Sequence, residues 1–251
     1  MIDPEVKQPN LSLKTIPLFR GPVPKHLIFY KYMGLGEMYD AAGYAWLIRG
    51  AKKNILIEAG FDVARAPSIG LHGEVLGTLE EGLKEEGLKL DDIDIVIATH
   101  LHGTHIEGAK LLPRARIIVQ ERELKSALNP LPFQHTDYPQ QIVRPLYDAN
   151  RFDVVDGDVE LEPGINLILT PGHSIGGQSV LVQTGEKKVV VTGFCSTLEN
   201  FFPKDGKSDI TVPSLYVDIV ALYQSMVKVK EMADVIVPLH ETKFIDVKTI
   251  P

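Results

Sequence analysis

Five of the eight histidines stand where apolar, strand-like runs end. His100, His102 and His105 come from THLHGTH, directly after IDIVIAT; His173 closes NLILTPGH and His240 closes VIVPLH. A strand sends alternate side chains to one face, so His100 and His102 can converge on one point. The ends of strands at the rim of a sheet are where α/β proteins usually keep their chemistry. Imidazole nitrogens suit zinc, iron, manganese or nickel, and three of them with an open fourth position make a catalytic rather than a structural site. Any one strand-end histidine alone is better read as a hydrogen-bonding residue. HxHxxH, GH and PLH together, each behind its own strand, point to a divalent metal centre, with zinc first and iron or manganese as alternatives.

The elements that must position these histidines alternate along the chain. HLIFYKYM (His26 to Met33), YAWLIRG (Tyr44 to Gly50) and NILIEAG (Asn54 to Gly60) read as strands, with glycines marking tight exits. A helix is predicted from Thr78 to Glu86, then the strand IDIVIATH, the strand RIIVQ and a short helix in ERELKSAL. The second half repeats the logic with INLILTPGH, QSVLVQT, KKVVVTG, a helix near Val217 to Met232, and VIVPLH. In that helix Ile219, Leu222, Met226 and Val229 share one face, which reads as core packing. Asn129 to Arg151 breaks the rhythm with Pro130, Pro132, Pro139 and Pro145 among aromatic residues. It is expected to be a loop serving as a lid or an interface, with His135 and Tyr138 as candidate substrate contacts. Strand pairs followed by helices in both halves predict two sheets packed face to face with helices outside. No linker divides residues 1–251, so one domain is expected.

Composition removes several classes of function. With 44% hydrophobic and 24% charged residues, and mean hydropathy near zero, the chain reads as an ordinary globule. A net charge of −7 argues against nucleic acid as the main partner, which would need a basic face. The single cysteine, Cys195, cannot form an internal disulfide or a multi-cysteine zinc site. No signal-peptide pattern is visible in MIDPEVKQPNLSLKTI, and no apolar run approaches the ~20 residues that span a bilayer. A cytoplasmic protein acting on a small molecule, away from membranes, is therefore expected, with a homodimer left open. Neither GxGxxG after a strand nor GxSxG occurs, which sets dinucleotide and serine-hydrolase chemistry aside.

Further residues carry a family resemblance. THLHGTH resembles the HxHxDH motif of the metallo-β-lactamase superfamily, and TPGHSIGGQSV resembles its second histidine motif. LIEAG (Leu56 to Gly60) takes the place of the usual acidic strand end, VVVTGFCSTLEN the segment with a bridging aspartate, and VPLHE the last histidine. The resemblance spans nearly the whole chain in order. Within the superfamily, TPGHSIGGQSV, RIIVQERELKSA and TLEN are most similar to the N-acyl homoserine lactonase group. The resemblance implies an αββα four-layer sandwich and a ring-opening hydrolase with a two-metal site.

The pattern departs from that family at two positions. Thr104 stands where HxHxDH has its aspartate, and Phe194 or Cys195 stands where the bridging aspartate belongs. Phe194 is therefore considered as a substrate contact. Without the two carboxylates, two divalent cations about 3.5 Å apart would repel strongly in a partly dry pocket. A single metal on His100, His102 and His173 is the expectation, because neutral His₃ lowers the pKa of a bound water to roughly 7. His105 and His240 would then serve as general base and acid. A weaker second site from His105, His240 and Cys195 is the alternative, although Cys195 reads better as a small buried hydrophobe. Glu58, Asp62 and Glu199 are carboxylates near the presumed rim that could orient a ligand histidine. The leading function is attack of a metal-bound hydroxide on a small cyclic ester or amide. A metal-dependent lyase, isomerase or oxygen-using enzyme, and a non-catalytic binding protein on the same fold, are the competing readings.

Overall fold

The computed structural model describes residues 10–63, 72–204, 206 and 208–250. The chain opens with strand β1 (Ser12–Pro24), a single turn of helix α1 (Lys25–Ile28), and strands β2 (Met38–Arg49), β3 (Ile55–Ile57) and β4 (Glu74–Val75). Helix α2 (Leu79–Glu85), strand β5 (Ile95–Ile97), the short helix α3 (Gly103–Ile106), strand β6 (Arg116–Gln120) and helices α4 (Glu121–Leu128) and α5 (Gln140–Asp148) follow. Strands β7 (Phe152–Val155), β8 (Val159–Glu162), β9 (Ile165–Leu169), β10 (Gln178–Thr184) and β11 (Lys187–Val191) lead to helices α6 (Leu198–Phe201) and α7 (Ile219–Met232). Strands β12 (Val235–Val237) and β13 (Thr249–Ile250) close the order.

Two sheets form. The first runs β13-β1-β2-β3-β5-β6-β7 with β4 on β1, and the second runs β12-β11-β10-β9-β8. β3, β5, β6 and β7 pair in parallel, and their short runs are almost uninterruptedly apolar because both faces are covered. Alternation then assigns each side chain a layer. Ile55, Ile57, Ile95 and Ile97 meet Ile165, Leu167, Val180, Val182, Val189 and Val191 between the sheets. Leu56, Val96, Ile117 and Val119 face the opposite way, onto Leu83 of α2, Leu124 of α4 and Val143 of α5. On the outer face of the second sheet, Ile168, Leu181 and Val190 pack on Leu222, Met226 and Val229 of α7. The layers run α/β/β/α, the fold the resemblance implied.

Local chemistry sets several boundaries. Thr78 accepts from the amide of Glu81 while the Glu81 carboxylate accepts from that of Thr78, a capping box that starts α2. Asp218 caps α7 by accepting from Val220 and Ala221.

Three expectations need correction. The His26–Met33 run is not a strand: α1 is followed by turns, and only Ile28 and Phe29 of the run are buried. Gly34 and Gly36, at φ 67° and 81°, turn the chain there instead of extending it. β1 was not anticipated, because Pro17, Pro22 and Pro24 punctuate it; it nonetheless pairs along its length with β2, with a register shift between Pro17 and Phe19. The 129–151 segment is not a structureless loop. It contains α5, whose Ile142, Val143 and Leu146 join the core under the first sheet.

Candidate active site

The carboxyl ends of β5, β9 and β12 deliver the histidines. β5 ends at Ile97, and Thr99 to His105 turn across the sheet edge into α3. His173 follows β9 through Pro171 and Gly172, and His240 follows β12. Gly172 has φ 129°, and a Cβ there would fall 2.2 Å from the amide nitrogen of Leu222. Only glycine lets the His173 loop pass this close to α7.

The imidazole rings meet in one cluster. Ring centroids lie 4.6 Å apart for His100 and His102, 4.8 Å for His100 and His173, and 4.9 Å for His102 and His173. His105 sits 4.2 Å from His100, and His240 sits 5.6 Å from His105. Among the described residues, the set of three or more metal-ligating side chains whose ligand atoms lie within 4.8 Å of one another is His100, His102 and His173.

Hydrogen bonds fix which ring nitrogens face inward. His173 Nδ1 lies 2.7 Å from the carbonyl of Leu215 and His240 Nδ1 lies 3.0 Å from that of Ala42. A carbonyl only accepts, so each Nδ1 carries the proton and each Nε2 keeps a lone pair. His100 Nδ1 pairs with Thr99 Oγ1 at 2.9 Å, and its Nε2 is buried without a hydrogen-bond partner. Burial lowers the pKa of all four rings, with repulsion between neighbouring histidines adding to it: well below the usual value for His100 and His102, to about 4 for His173 and about 3 for His240. Neutral imidazoles with inward lone pairs and one orphaned buried nitrogen form a donor set that fits a divalent metal.

His105 is held differently. Its Nδ1 lies 2.8 Å from Oε2 of Glu58, a fully buried carboxylate just past β3. Oε1 of the same residue accepts from the amide of Thr99 at 3.0 Å. Glu58 does this from a left-handed backbone, φ 64°, a conformation that costs a non-glycine residue roughly 1–2 kcal/mol. Of the three rim carboxylates considered from sequence, Glu58 reaches a site histidine. Asp62 and Glu199 pair with Lys110 and Lys204.

The other candidates fall elsewhere. Phe194 is completely buried and packs on Phe201 in the α7 layer, so its ring is a core element and not a wall of the site. Cys195 packs with Ile28 and Phe29, outside the ligand set, and burial pushes its thiol up to about 12. His135 is exposed beyond a short 3₁₀ turn. Tyr138 is fully buried, its ring edge-on to His102 at 4.9 Å; it backs that imidazole instead of meeting solvent. Sequence reasoning missed the pocket beside His105 and His240. It lies between Thr104 and the apolar walls of Phe19, Ala42, Tyr44, Phe61 and Leu239. β1 supplies one wall, and without β1 no sequence signal assembles it.

The metallo-beta-lactamase superfamily signature matches residues 38–193. An N-acyl homoserine lactonase of Bacillus sp is 30% identical over 181 residues, 66% of this chain and 69% of that protein. One from Bacillus thuringiensis is 26% identical over 209 residues, 78% of each chain. A solved N-acyl homoserine lactone hydrolase, with the product N-hexanoyl-L-homoserine at its catalytic metal centre, superposes with a TM-score of 0.72 at 25% identity, covering 92% of this chain and 94% of that one. The chain belongs to the metallo-β-lactamase superfamily. Within it, the protein is a metal-dependent hydrolase of lactonase-like type. No helix among the described residues is long and apolar enough to cross a membrane.

Proposed function

We propose that this hydrolase opens the ring of a small cyclic ester, with a cyclic amide as the nearest alternative, at a site built on one metal ion held by His100, His102 and His173. The observation that carries the reading is the convergence of these three ligands within 4.8 Å around a buried, unpartnered His100 Nε2. Lactones are the substrates to try first because the similar proteins act on N-acyl homoserine lactones. A divalent metal, zinc in the first place, supplies a Lewis acid that polarises the scissile carbonyl and acidifies water. Thr104 beside the pocket and Phe194 in the core leave the two usual carboxylate positions without charge, which favours one ion over two.

The chain's own groups then divide the proton work. The Glu58 carboxylate, 2.8 Å from His105 Nδ1, favours the ring proton on that nitrogen, so His105 Nε2 is free to accept a proton from the attacking water. The oxygen of that water forms a bond to the carbonyl carbon, the ring C–O bond breaks, and His105 returns its proton to the leaving oxygen. The Glu58 carboxylate stabilises the intermediate imidazolium. Burial keeps His240 neutral at working pH, so it serves as a hydrogen-bond acceptor that orients the water instead of the general acid. The apolar pocket receives the uncharged part of the substrate. The 129–151 segment, with Phe133 exposed and Tyr138 buried against His102, is read as a wall beside the histidine cluster.

The test is metal content per chain by elemental analysis, without added metal or chelator, beside His100→Ala and followed by a lactone panel. About one ion per chain, lost in the variant, with a ring-opened product supports the reading. Two tightly held ions overturn the mononuclear site, and an inert panel with metal in place overturns the substrate class.

A further inference from the structure

Glu123 is a fully buried carboxylate on α4, outside every histidine motif. Its Oε1 accepts from the amide of Leu101 at 3.0 Å, and Leu101 lies between His100 and His102. Its Oε2 accepts from the amide of Gly176 at 3.0 Å, three residues past His173. The hydroxyl of Tyr138 donates to Oε1 at 3.3 Å, and the ring of Tyr138 lies edge-on to His102. One carboxylate thus touches both ligand-bearing loops and the residue that backs His102.

We infer that Glu123 is the positioning residue that sets the spacing of the His100, His102 and His173 triad. The two loops come from different sheets, one after β5 and the other after β9; Gln178 ties their bases by donating to the carbonyls of Thr99 and Ala98, but the segments that carry the imidazoles, past Leu101 and up to Gly176, meet at Glu123. A carboxylate with an oxygen for each loop fixes their separation there. The approach is tight: a Cβ on Gly176 would fall 2.3 Å from the amide nitrogen of Glu123. Burying a carboxylate among amides and a phenol carries a desolvation penalty, and α4 already has Leu124 and Ala127 to hold it to the sheet. The charge is therefore spent on orienting ligands, in the manner of the outer partners of metal sites. Glu123 touches neither the ligand nitrogens nor the pocket.

The inference rests on the triad being a metal site, so the readouts are metal binding and ligand geometry, not turnover. Glu123→Gln keeps the shape but offers one oxygen and one NH₂ group, so one of the two loop amides faces a donor. Zn²⁺ affinity, measured by competition with a chromogenic chelator, is expected to fall 10–100-fold. The visible bands of the Co²⁺-loaded protein should shift, while the metal-free variant keeps its far-ultraviolet circular dichroism. Glu123→Asp, which restores both acceptors on a shorter arm, should recover part of the affinity. Tyr138→Phe should move both readouts in the same direction by less, and it carries the test if Glu123→Gln does not fold. Wild-type affinity and an unchanged Co²⁺ spectrum in folded Glu123→Gln, or in Tyr138→Phe where the former does not fold, overturn the inference. Wild-type protein that takes up no metal overturns the metal site itself, a result distinct from the first.

Discussion

Replacing Glu58 by glutamine changes one atom and tests the proton chemistry proposed for His105. The amide of Thr99 donates to one carboxylate oxygen and His105 Nδ1 contacts the other. In the variant the amide oxygen must stay on the Thr99 side, because the flipped orientation would set NH₂ against N–H in a fully buried place. An unsatisfied buried donor costs about 1–3 kcal/mol, which is roughly a 5- to 150-fold preference for the first orientation. The NH₂ group then faces His105 Nδ1 and donates to it. The single ring proton moves to Nε2, the nitrogen that must accept a proton from water. Nor is a carboxylate left to stabilise the imidazolium. Loss of a positioned general base is worth 10²–10⁴ in rate, or about 2.7–5.5 kcal/mol in the barrier. We expect kcat for ring opening to fall by that factor, with KM and metal content nearly unchanged and stability within about 1 kcal/mol, since the Thr99 bond survives. Long-range ¹H–¹⁵N spectra of labelled histidine should show His105 changing tautomer. A kcat within threefold of wild type, with metal bound, would refute the reasoning.

Three further outcomes follow from the same geometry. Folding holds His173 and His240 neutral well below the 6.5 of the unfolded chain, so their contribution to the metal-free protein is complete above pH 6.5 and is lost as pH falls toward about 4 and 3. Between pH 6.5 and 5 buried His173 contributes about 2 kcal/mol and the partly exposed His240 less. Glu123, whose carboxyl is raised by burial, works in the opposite sense. Urea unfolding at pH 7.5 and 5.0 should show this loss, and His173→Gln should flatten the slope; a pH-independent midpoint in the wild type would contradict it. Cys195→Ser should leave metal content unchanged, and Cys195 should resist a thiol reagent at pH 8 until the protein unfolds. Phe194→Ala should cost about 3–5 kcal/mol in chemical denaturation while the surviving folded fraction still binds metal, as suits a core residue.

The histidines were legible because their signal is local: HxHxxH after an apolar run needs only the alternation of a strand and the turn that ends it. α4, β6 and β10 were legible to the residue for the same reason. Glu58 was visible as a strand-end carboxylate but indistinguishable from Asp62, since what separates them is the left-handed turn that aims one at His105 across 47 positions of sequence. α5 hid behind Pro145, which lies inside the helix where a proline usually signals an end. Phe194 was misplaced because strand alternation stops at Val191, and the bend through Gly193 sends the next ring into the α7 layer.

The amino-acid sequence by itself determined the layers, the identity of the clustered histidines and the loss of two carboxylates, because each is carried by residue type and by contacts a few positions apart. Only the tertiary structure decided which nitrogens of His173 and His240 are tied to carbonyls, that Glu58 contacts His105 and Glu123 bridges the two histidine loops, and that an apolar pocket adjoins His105. Those depend on pairs such as Glu123 with Gly176 and Ala42 with His240, far apart in the chain and joined only when the two sheets pack. Burial, which also belongs to the packed state alone, is what keeps the four imidazoles neutral and ready for metal.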